Sequence, residues 1–192
     1  MGKGRMEAFS DGVLAVIITI MVLEMKVPHG TDLAALVPVL PVFLAYVLSF
    51  ANVAIYWNNH HHMLHAVERI SGSAMWANLH LLLWLSLIPF VPGWMGENHF
   101  AALPTAVYGV VLLLAALAWL PLRSSLIAAN GGANSILARA MGRDLKAKLS
   151  TVCYVPAIAL AFVNQWISDA LYALVAVMWL VPDRRIEKAL SA

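Results

Sequence analysis

The sequence predicts an all-α integral membrane protein folded as a six-helix bundle. Three observations predict this class: the composition, the spacing of long apolar segments, and the uneven distribution of lysine and arginine. Hydrophobic residues make up 62% of the 192 residues and charged residues 11%, with a mean hydropathy of +0.81. Soluble domains typically contain about 45–50% apolar and about 25% charged residues. A soluble fold with so few polar side chains would leave apolar surface uncovered, so we expect lipid to be its solvent.

Six segments approach the length and apolar character of a membrane-spanning helix, which needs about 20 residues. Pro28 closes the first segment. Pro38 and Pro41 lie in the first turns of the second, where the missing N–H costs least. The whole chain, residues 1–192, is expected to form a single transmembrane domain. The predicted helices are 9–27, 36–59, 74–95, 102–122, 149–167 and 168–181.

The end of the chain is the least regular part of this pattern. Residues 123–148 are the only long polar segment and are predicted to form a cytoplasmic linker. Asn164, Gln165 and Ser168 indicate a turn between the last two helices. A re-entrant pair in place of two spanning helices remains an alternative.

Basic residues fix the predicted orientation. With the N-terminus inside and six spans, the exterior segments contain only Lys26. Cytoplasmic loops carry the excess of lysine and arginine in membrane proteins. The sequence therefore predicts a multi-pass protein of the cell membrane with both termini cytoplasmic. The interior segments contain the other eleven basic residues: Lys3, Arg5, Arg69, Arg123, Arg139, Arg143, Lys146, Lys148, Arg184, Arg185 and Lys188.

Composition also argues against several classes of function. A net charge of +2 does not favour nucleic acid as a partner, and one cysteine, Cys153, allows no cysteine-based metal site. His61 and His65 are four residues apart, but no acidic residue completes a metalloprotease pattern, so we expect no metal. No nucleophile with its base, phosphate loop or dinucleotide fingerprint is found. We expect neither an enzyme nor a cofactor.

The first predicted helix combines charge with an apolar stripe. Asp11 lies within it, and a charge inside a membrane span usually faces a protein interior. Val16, Ile20 and Leu23 follow an i, i+4, i+7 spacing and so share one face. By spacing alone, this stripe is typical of ordinary helix packing. A single helix cannot enclose a pore, so a pore requires several copies around an axis, where rings of apolar side chains form a constriction.

Three further residues are assigned roles relative to this helix. His60 and His80 are candidates for neutral, hydrogen-bonded partners of Ser10 and Asp11. Glu24 lies at the edge of the apolar stripe, near the exterior end of the helix. One Glu24 from each subunit would form a ring of carboxylates, and such rings favour cations over anions.

The start of the chain resembles a known family. Arg5, Phe9, Ser10 and Asp11 match the R-x-x-x-F-S-D signature of the transmembrane protein 175 family of potassium channels, and the likeness continues through Thr19. Two later stretches are similar to the family as well: Tyr56-Trp57 through His60-His61, and Leu85-Ser86-Leu87-Ile88-Pro89-Phe90. The likeness covers essentially the whole chain, at the length of a prokaryotic member with a single repeat.

The resemblance implies six transmembrane helices per subunit and a homotetramer with the first helix lining a central pore. It implies no T-V-G-Y-G filter, and the chain contains none. It assigns the constriction to Val16, Ile20 and Leu23, with Val16 at a position where the family often has isoleucine. It links Thr19 to potassium preference. It gives the motif residues the role of bracing the first helix against its neighbours: Arg5, Phe9, Ser10 and Asp11.

The predicted function is a potassium-permeable, weakly selective cation leak channel with a hydrophobic constriction. Its partners are potassium and other monovalent cations, membrane lipids and three further copies of the chain, with no nucleic acid. The alternative is a proton-coupled secondary transporter in which intramembrane Asp11 and the histidines relay protons.

Overall fold

The computed structural model describes residues 2–142 and 145–180, and helices dominate them. The all-helical prediction is confirmed. Short 3-10 segments at Leu33–Val39 and Gly132–Asn134 supplement the α-helices. In chain order the α-helices are α1 Lys3–Leu23, α2 Leu40–His65, α3 Gly72–Leu85, α4 Phe90–Glu97, α5 Ala102–Ala129, α6 Ile136–Met141, α7 Leu145–Leu160 and α8 Gln165–Leu180.

Four segments of the described residues are long and apolar enough to cross a membrane: 3–23, 33–65, 72–97 and 102–129. The apolar helix α8 is shorter, with 16 residues. The count of six spans therefore stays a prediction. Val181 at the predicted end of the sixth span lies outside the described residues, as do the basic residues Arg143, Arg184, Arg185 and Lys188.

Several helix boundaries differ from those predicted. Helix α1 begins at Lys3 and not at residue 9, because its charged first turns are helical without being apolar. Helix α5 continues through Pro121 and ends at Ala129, seven residues past the predicted end at 122. Proline is more frequent inside membrane helices than inside soluble ones. Ser124 and Ser125 hydroxyls donate to the Leu120 and Leu122 carbonyls at 2.8 and 2.9 Å.

The predicted third helix, 74–95, is two helices. A run of turns at 86–89 separates α3 from α4. Pro89 has no N–H to donate and disfavours helical backbone at Ile88 before it. The Ser86 hydroxyl donates to the Leu83 carbonyl at 2.7 Å, which closes the end of α3. The direction of the chain can therefore change in the middle of an otherwise apolar segment.

The bundle is organised around α5, which packs against α3, α4, α7 and α8, while α1 packs against α2 and α3. We call its two ends the Lys3 end, where α1 begins, and the Leu23 end, where α1 finishes. Helices α4 and α2 approach closely, and a Cβ added at Gly96 would overlap the Val42 backbone. The Tyr172 phenol occupies the space beside Gly109, so a Cβ there would overlap the ring.

Asn130 fixes the Lys3 end of α5. Its side-chain oxygen accepts from the Glu68 and Arg69 amides, both at 2.9 Å, and its nitrogen donates to the Arg69 and Leu126 carbonyls. Three of these four hydrogen bonds join the loop between α2 and α3 to the end of α5, and the fourth lies within α5 itself. The first residues of the predicted linker 123–148 therefore form the ordered end of α5.

Candidate functional site

Helix α1 has two different faces. One face is buried in the subunit at three- and four-residue intervals. Val16, Ile20 and Leu23 lie on the other side, with exposed fractions of 56%, 40% and 76%. Nothing in the described part of the single chain covers that apolar stripe. The buried residues are Met6, Ser10, Leu14, Ile17 and Met21.

A buried hydrogen-bond chain anchors the inner face of α1. The Ser10 hydroxyl donates to the Met6 carbonyl at 2.8 Å, so its oxygen accepts from Asn78 Nδ2 at 2.9 Å. The Asn78 oxygen therefore faces His60 Nε2, 2.8 Å away. Because that oxygen can only accept, His60 carries its hydrogen on Nε2. The chain links α1, α3 and α2, and leaves His60 Nδ1 buried without a partner among the described residues.

Three contacts then join α1 to α2 side by side. Lys3 Nζ donates to the His65 carbonyl at 3.5 Å, Glu7 Oε1 lies 3.5 Å from His61 Nδ1, and Trp57 Nε1 donates to Asp11 Oδ1 at 3.0 Å. The contacts recur every four residues on both helices and in opposite order. This is the spacing of neighbouring residues on one helix face. The two helices are therefore antiparallel along the charged turns of α1.

The hydrogen-bond partner of Asp11 differs from the predicted ones. Asp11 accepts a hydrogen bond from Trp57, whereas His60 and His80, the predicted partners, bond to Asn78 and Trp84. The prediction considered imidazole groups and overlooked the indole N–H, which is a good donor at the edge of a membrane protein.

His80 does not reach the motif. It lies two residues beyond Asn78 on α3, which turns it away from the buried face of that helix. It is exposed and accepts a hydrogen bond from Trp84 Nε1 at 2.9 Å. His60, in contrast, is joined to Ser10 through Asn78. The prediction of His60 and His80 as direct partners missed the asparagine, which carries no signal in a single sequence beyond being polar in an apolar segment.

The other two motif residues lie outside this network. Arg5 and Phe9 are exposed on the side of α1 that bears the apolar stripe. Within residues 2–142 and 145–180 the Arg5 guanidinium forms no ion pair. Within that part of the chain the structure therefore shows no polar partner through which Arg5 would brace the helix.

The Leu23 end of α1 is polar. Thr19 is exposed, and its hydroxyl donates to the Ala15 carbonyl at 2.9 Å. Glu24 follows the last turn and lines a cavity of about 410 Å³ together with Glu97 and the ring of Trp94. Lys26 Nζ lies 2.6 Å from Glu97 Oε1, and this hydrogen bond raises the pKa of Lys26. Because Lys26 is paired with Glu97, Glu24 remains an exposed acidic side chain at this end, directly after α1.

Metal ligands do not converge in this region. Among the residues whose placement is described, no group of three histidine, cysteine or acidic side chains is close enough to hold a metal ion. His61 and His65 stack, with ring centroids 6.1 Å apart.

Comparison with known proteins identifies the relationship. A sequence model of the family described as "Endosomal/lysosomal potassium channel TMEM175" matches residues 5–89. A Chryseobacterium protein named as a potassium channel is 53% identical over 191 residues, which cover 100% of this chain and 99% of that protein. The chain belongs to the TMEM175 family. A second relative, named as a potassium channel of Chamaesiphon minutus, is 30% identical over 180 residues, 86% of this chain and 87% of that protein.

The fold of the TMEM175 family is shared as well. The chain is similar to a crystal structure described as a lysosomal potassium-selective channel TMEM175 homolog from Chamaesiphon minutus. The TM-score is 0.75 and the identity 29%, over 94% of this chain and 97% of that one. The family match at 5–89 includes α1, α2 and α3. The Ser10–Asn78–His60 chain and the Asp11–Trp57 bond therefore lie within the segment that the family model matches.

Proposed function

We propose that this chain is one of four identical subunits of a potassium-permeable, weakly selective cation channel whose pore is lined by α1. The observation that carries the proposal is the asymmetry of α1. One face is buried and hydrogen-bonded, while Val16, Ile20 and Leu23 on the other are uncovered. The names of the similar proteins as potassium channels support the same function.

The proposed constriction is a stack of apolar rings. If four copies of α1 surround an axis, Val16, Ile20 and Leu23 each contribute one side chain per subunit to a ring. Apolar side chains offer a cation no oxygen ligand, so a narrow ring blocks permeation by excluding water. Thr19, between the first two rings along the chain, adds a hydroxyl near the pore. Selectivity then depends on the width and polarity of the rings and is expected to be weak.

The inner face of α1 has a separate task in this proposal. Ser10, through Asn78 and His60, and Asp11, through Trp57, hold the helix in one rotation about its axis. A rotation by one residue would replace the stripe with different side chains, because successive residues point about 100° apart. The motif therefore determines which side chains face the axis, and Arg5 and Phe9 are available for contacts between subunits.

The proposed topology keeps six spans in the cell membrane with both termini cytoplasmic. Eleven of the twelve basic residues then lie in interior segments, which supports this orientation.

The first experiment is to count subunits and measure ion selectivity with the wild-type protein. Native mass spectrometry in mild detergent should show four chains. Recording in a planar bilayer with potassium on one side and sodium on the other should show a reversal potential displaced toward potassium equilibrium. A stable monomer or dimer that conducts would overturn the arrangement around an axis. A tetramer without cation conductance would overturn the channel function.

A further inference from the structure

Asp169 of α8 is a partly buried acid to which the proposed pore gives no role. Both of its carboxylate oxygens are inaccessible, and neither has a hydrogen-bond partner among the described residues. No cationic side chain within residues 2–142 and 145–180 forms an ion pair with it. An ionised carboxylate without partners costs far more to bury than a neutral acid. Ionisable residues inside membrane segments usually mark functional sites.

The groups around Asp169 are neutral and do not donate to it. Tyr172, one turn along α8, commits its hydroxyl proton to the Thr105 carbonyl at 3.3 Å. Tyr108 of α5 packs edge-on against Tyr172 and is also close enough to interact electrostatically with Asp169. The Tyr108 hydroxyl accepts from Ser49 Oγ at 3.3 Å and from Asn52 Nδ2 at 3.2 Å.

The helices around α8 thus present few groups that titrate near Asp169. Helix α5 contributes Tyr108, and α8 itself contributes Tyr172. Helix α7 contributes Tyr154, whose ring lies against that of Tyr172. Helix α2 contributes only the neutral Ser49 and Asn52. All three tyrosines are neutral at physiological pH, so none compensates a negative charge on Asp169.

We propose that Asp169 is a proton-binding site inside each subunit, away from the apolar stripe of α1. The ligand is a proton from water, held on one carboxylate oxygen at neutral pH and returned to water when the site empties. Emptying the site places an uncompensated negative charge between α5, α7 and α8. The subunit thus has a protonation state that is independent of the permeation path, and the proposal stands whether or not α1 lines the pore.

Infrared spectroscopy of the purified full-length protein tests the site directly. The wild-type protein at pH 7 should show the C=O stretching band of a protonated carboxylic acid. Asp169→Asn, which has the shape of the neutral acid, should lose that band and remain folded. Asp32→Asn is the matched control, because Asp32 is exposed and accepts a hydrogen bond from the Ala35 amide. This control should keep the band.

Two further measurements keep the test decisive. Labelling aspartate with carbon-13 in the wild-type protein should shift the band, which identifies an aspartic acid even if Asp169→Asn folds poorly. Transfer to heavy water should shift the band by deuterium exchange. Absence of the band at pH 7, its persistence in folded Asp169→Asn, or its insensitivity to the label would overturn the proton site.

Discussion

The two faces of α1 differ in what holds them. The inner face contains a serine bonded through an asparagine to a buried histidine, and every one of these bonds is made within one chain. The outer face contains aliphatic side chains with no partner in the described part of the chain. One face therefore determines the position of the helix, and the other is free to meet other chains, lipid or ions. A mutation should report on stability or on permeation according to the face that it changes.

The largest expected effect is on the inner face. Asn78→Leu removes both bonds of the buried chain and leaves the His60 Nε2–H and the Ser10 oxygen without their partner. An unpaired buried polar group costs about 1–3 kcal/mol. We expect a clear drop in the thermal unfolding temperature of the detergent-solubilised protein, accompanied by loss of tetramer.

The control for this change is Asn98→Leu. Asn98 is exposed, and its side chain bonds only to the Trp94 carbonyl of its own turn. It should change the unfolding temperature little. If both variants unfold at the wild-type temperature, the buried chain does not hold α1.

The second prediction concerns the outer face. Ile20→Asn places a polar group in the proposed constriction, so water should enter more easily. We expect bilayer conductance to rise severalfold and the reversal potential under potassium and sodium to move toward zero. Val16→Asn and Leu23→Asn should act in the same direction with smaller effect.

Val22→Asn is the matched control, because Val22 is 43% exposed against 40% for Ile20 but lies off the stripe. It should leave selectivity unchanged. A shift in selectivity for Val22→Asn and none for Ile20→Asn would mean that α1 faces the pore with a different side.

The third prediction concerns the hydrogen bond between Asp11 of α1 and Trp57 of α2, which is independent of the buried Ser10–Asn78–His60 chain. Trp57→Phe removes the donor to Asp11 and keeps most of the ring. Both side chains are partly solvated, so the loss should be about 1 kcal/mol, less than the roughly 1.5–3 kcal/mol typical of hydrogen bonds to charged groups. A double-mutant cycle with Asp11→Asn, read from unfolding midpoints, should show a positive coupling. Strictly additive effects would show that the bond contributes nothing to stability.

The smallest expected effect is at the Leu23 end. Glu24→Gln removes one carboxylate per subunit from a solvated position. Inward cation conductance should fall modestly at low ionic strength and recover in high salt, because exposed charges are screened beyond about 10 Å at 0.1 M. An effect of equal size at all salt concentrations would place Glu24 against a neighbouring helix and away from the ion path.

Much of α1 could be predicted from the sequence because its information is local. The apolar stripe, Asp11 and the family motif all lie within one helix, where spacing alone determines the shared face. The partners could not be predicted in the same way. Trp57 lies 46 residues from Asp11 and Asn78 lies 68 residues from Ser10. Which residues meet across helices depends on how far neighbouring helices are shifted along their axes relative to one another. Apolar composition does not determine that shift.

The features that the sequence analysis missed also divide into those with a local signal and those that depend on distant residues. The end of α5 at Ala129 depends on Asn130, whose four hydrogen bonds reach residues 68 and 69 as well as its own helix. The break before Pro89 had a local signal, since proline disfavours helix at the residue before it. Asp169 also had a local signal, because it is an acid inside the segment predicted as the sixth span. As for Asp11, a charge inside a span usually faces a protein interior.

The close packing of Tyr172 against Gly109 constrains how lineages of this chain can diverge. Any side chain at position 109 would overlap the phenol and would also press on Ile158. A single exchange of that glycine is therefore selected against for as long as the aromatic ring is present. The substitution becomes accessible only after residue 172 has been replaced by a smaller one. The two positions, 63 residues apart by their numbers, should consequently evolve in a fixed order, with the tyrosine lost before the glycine.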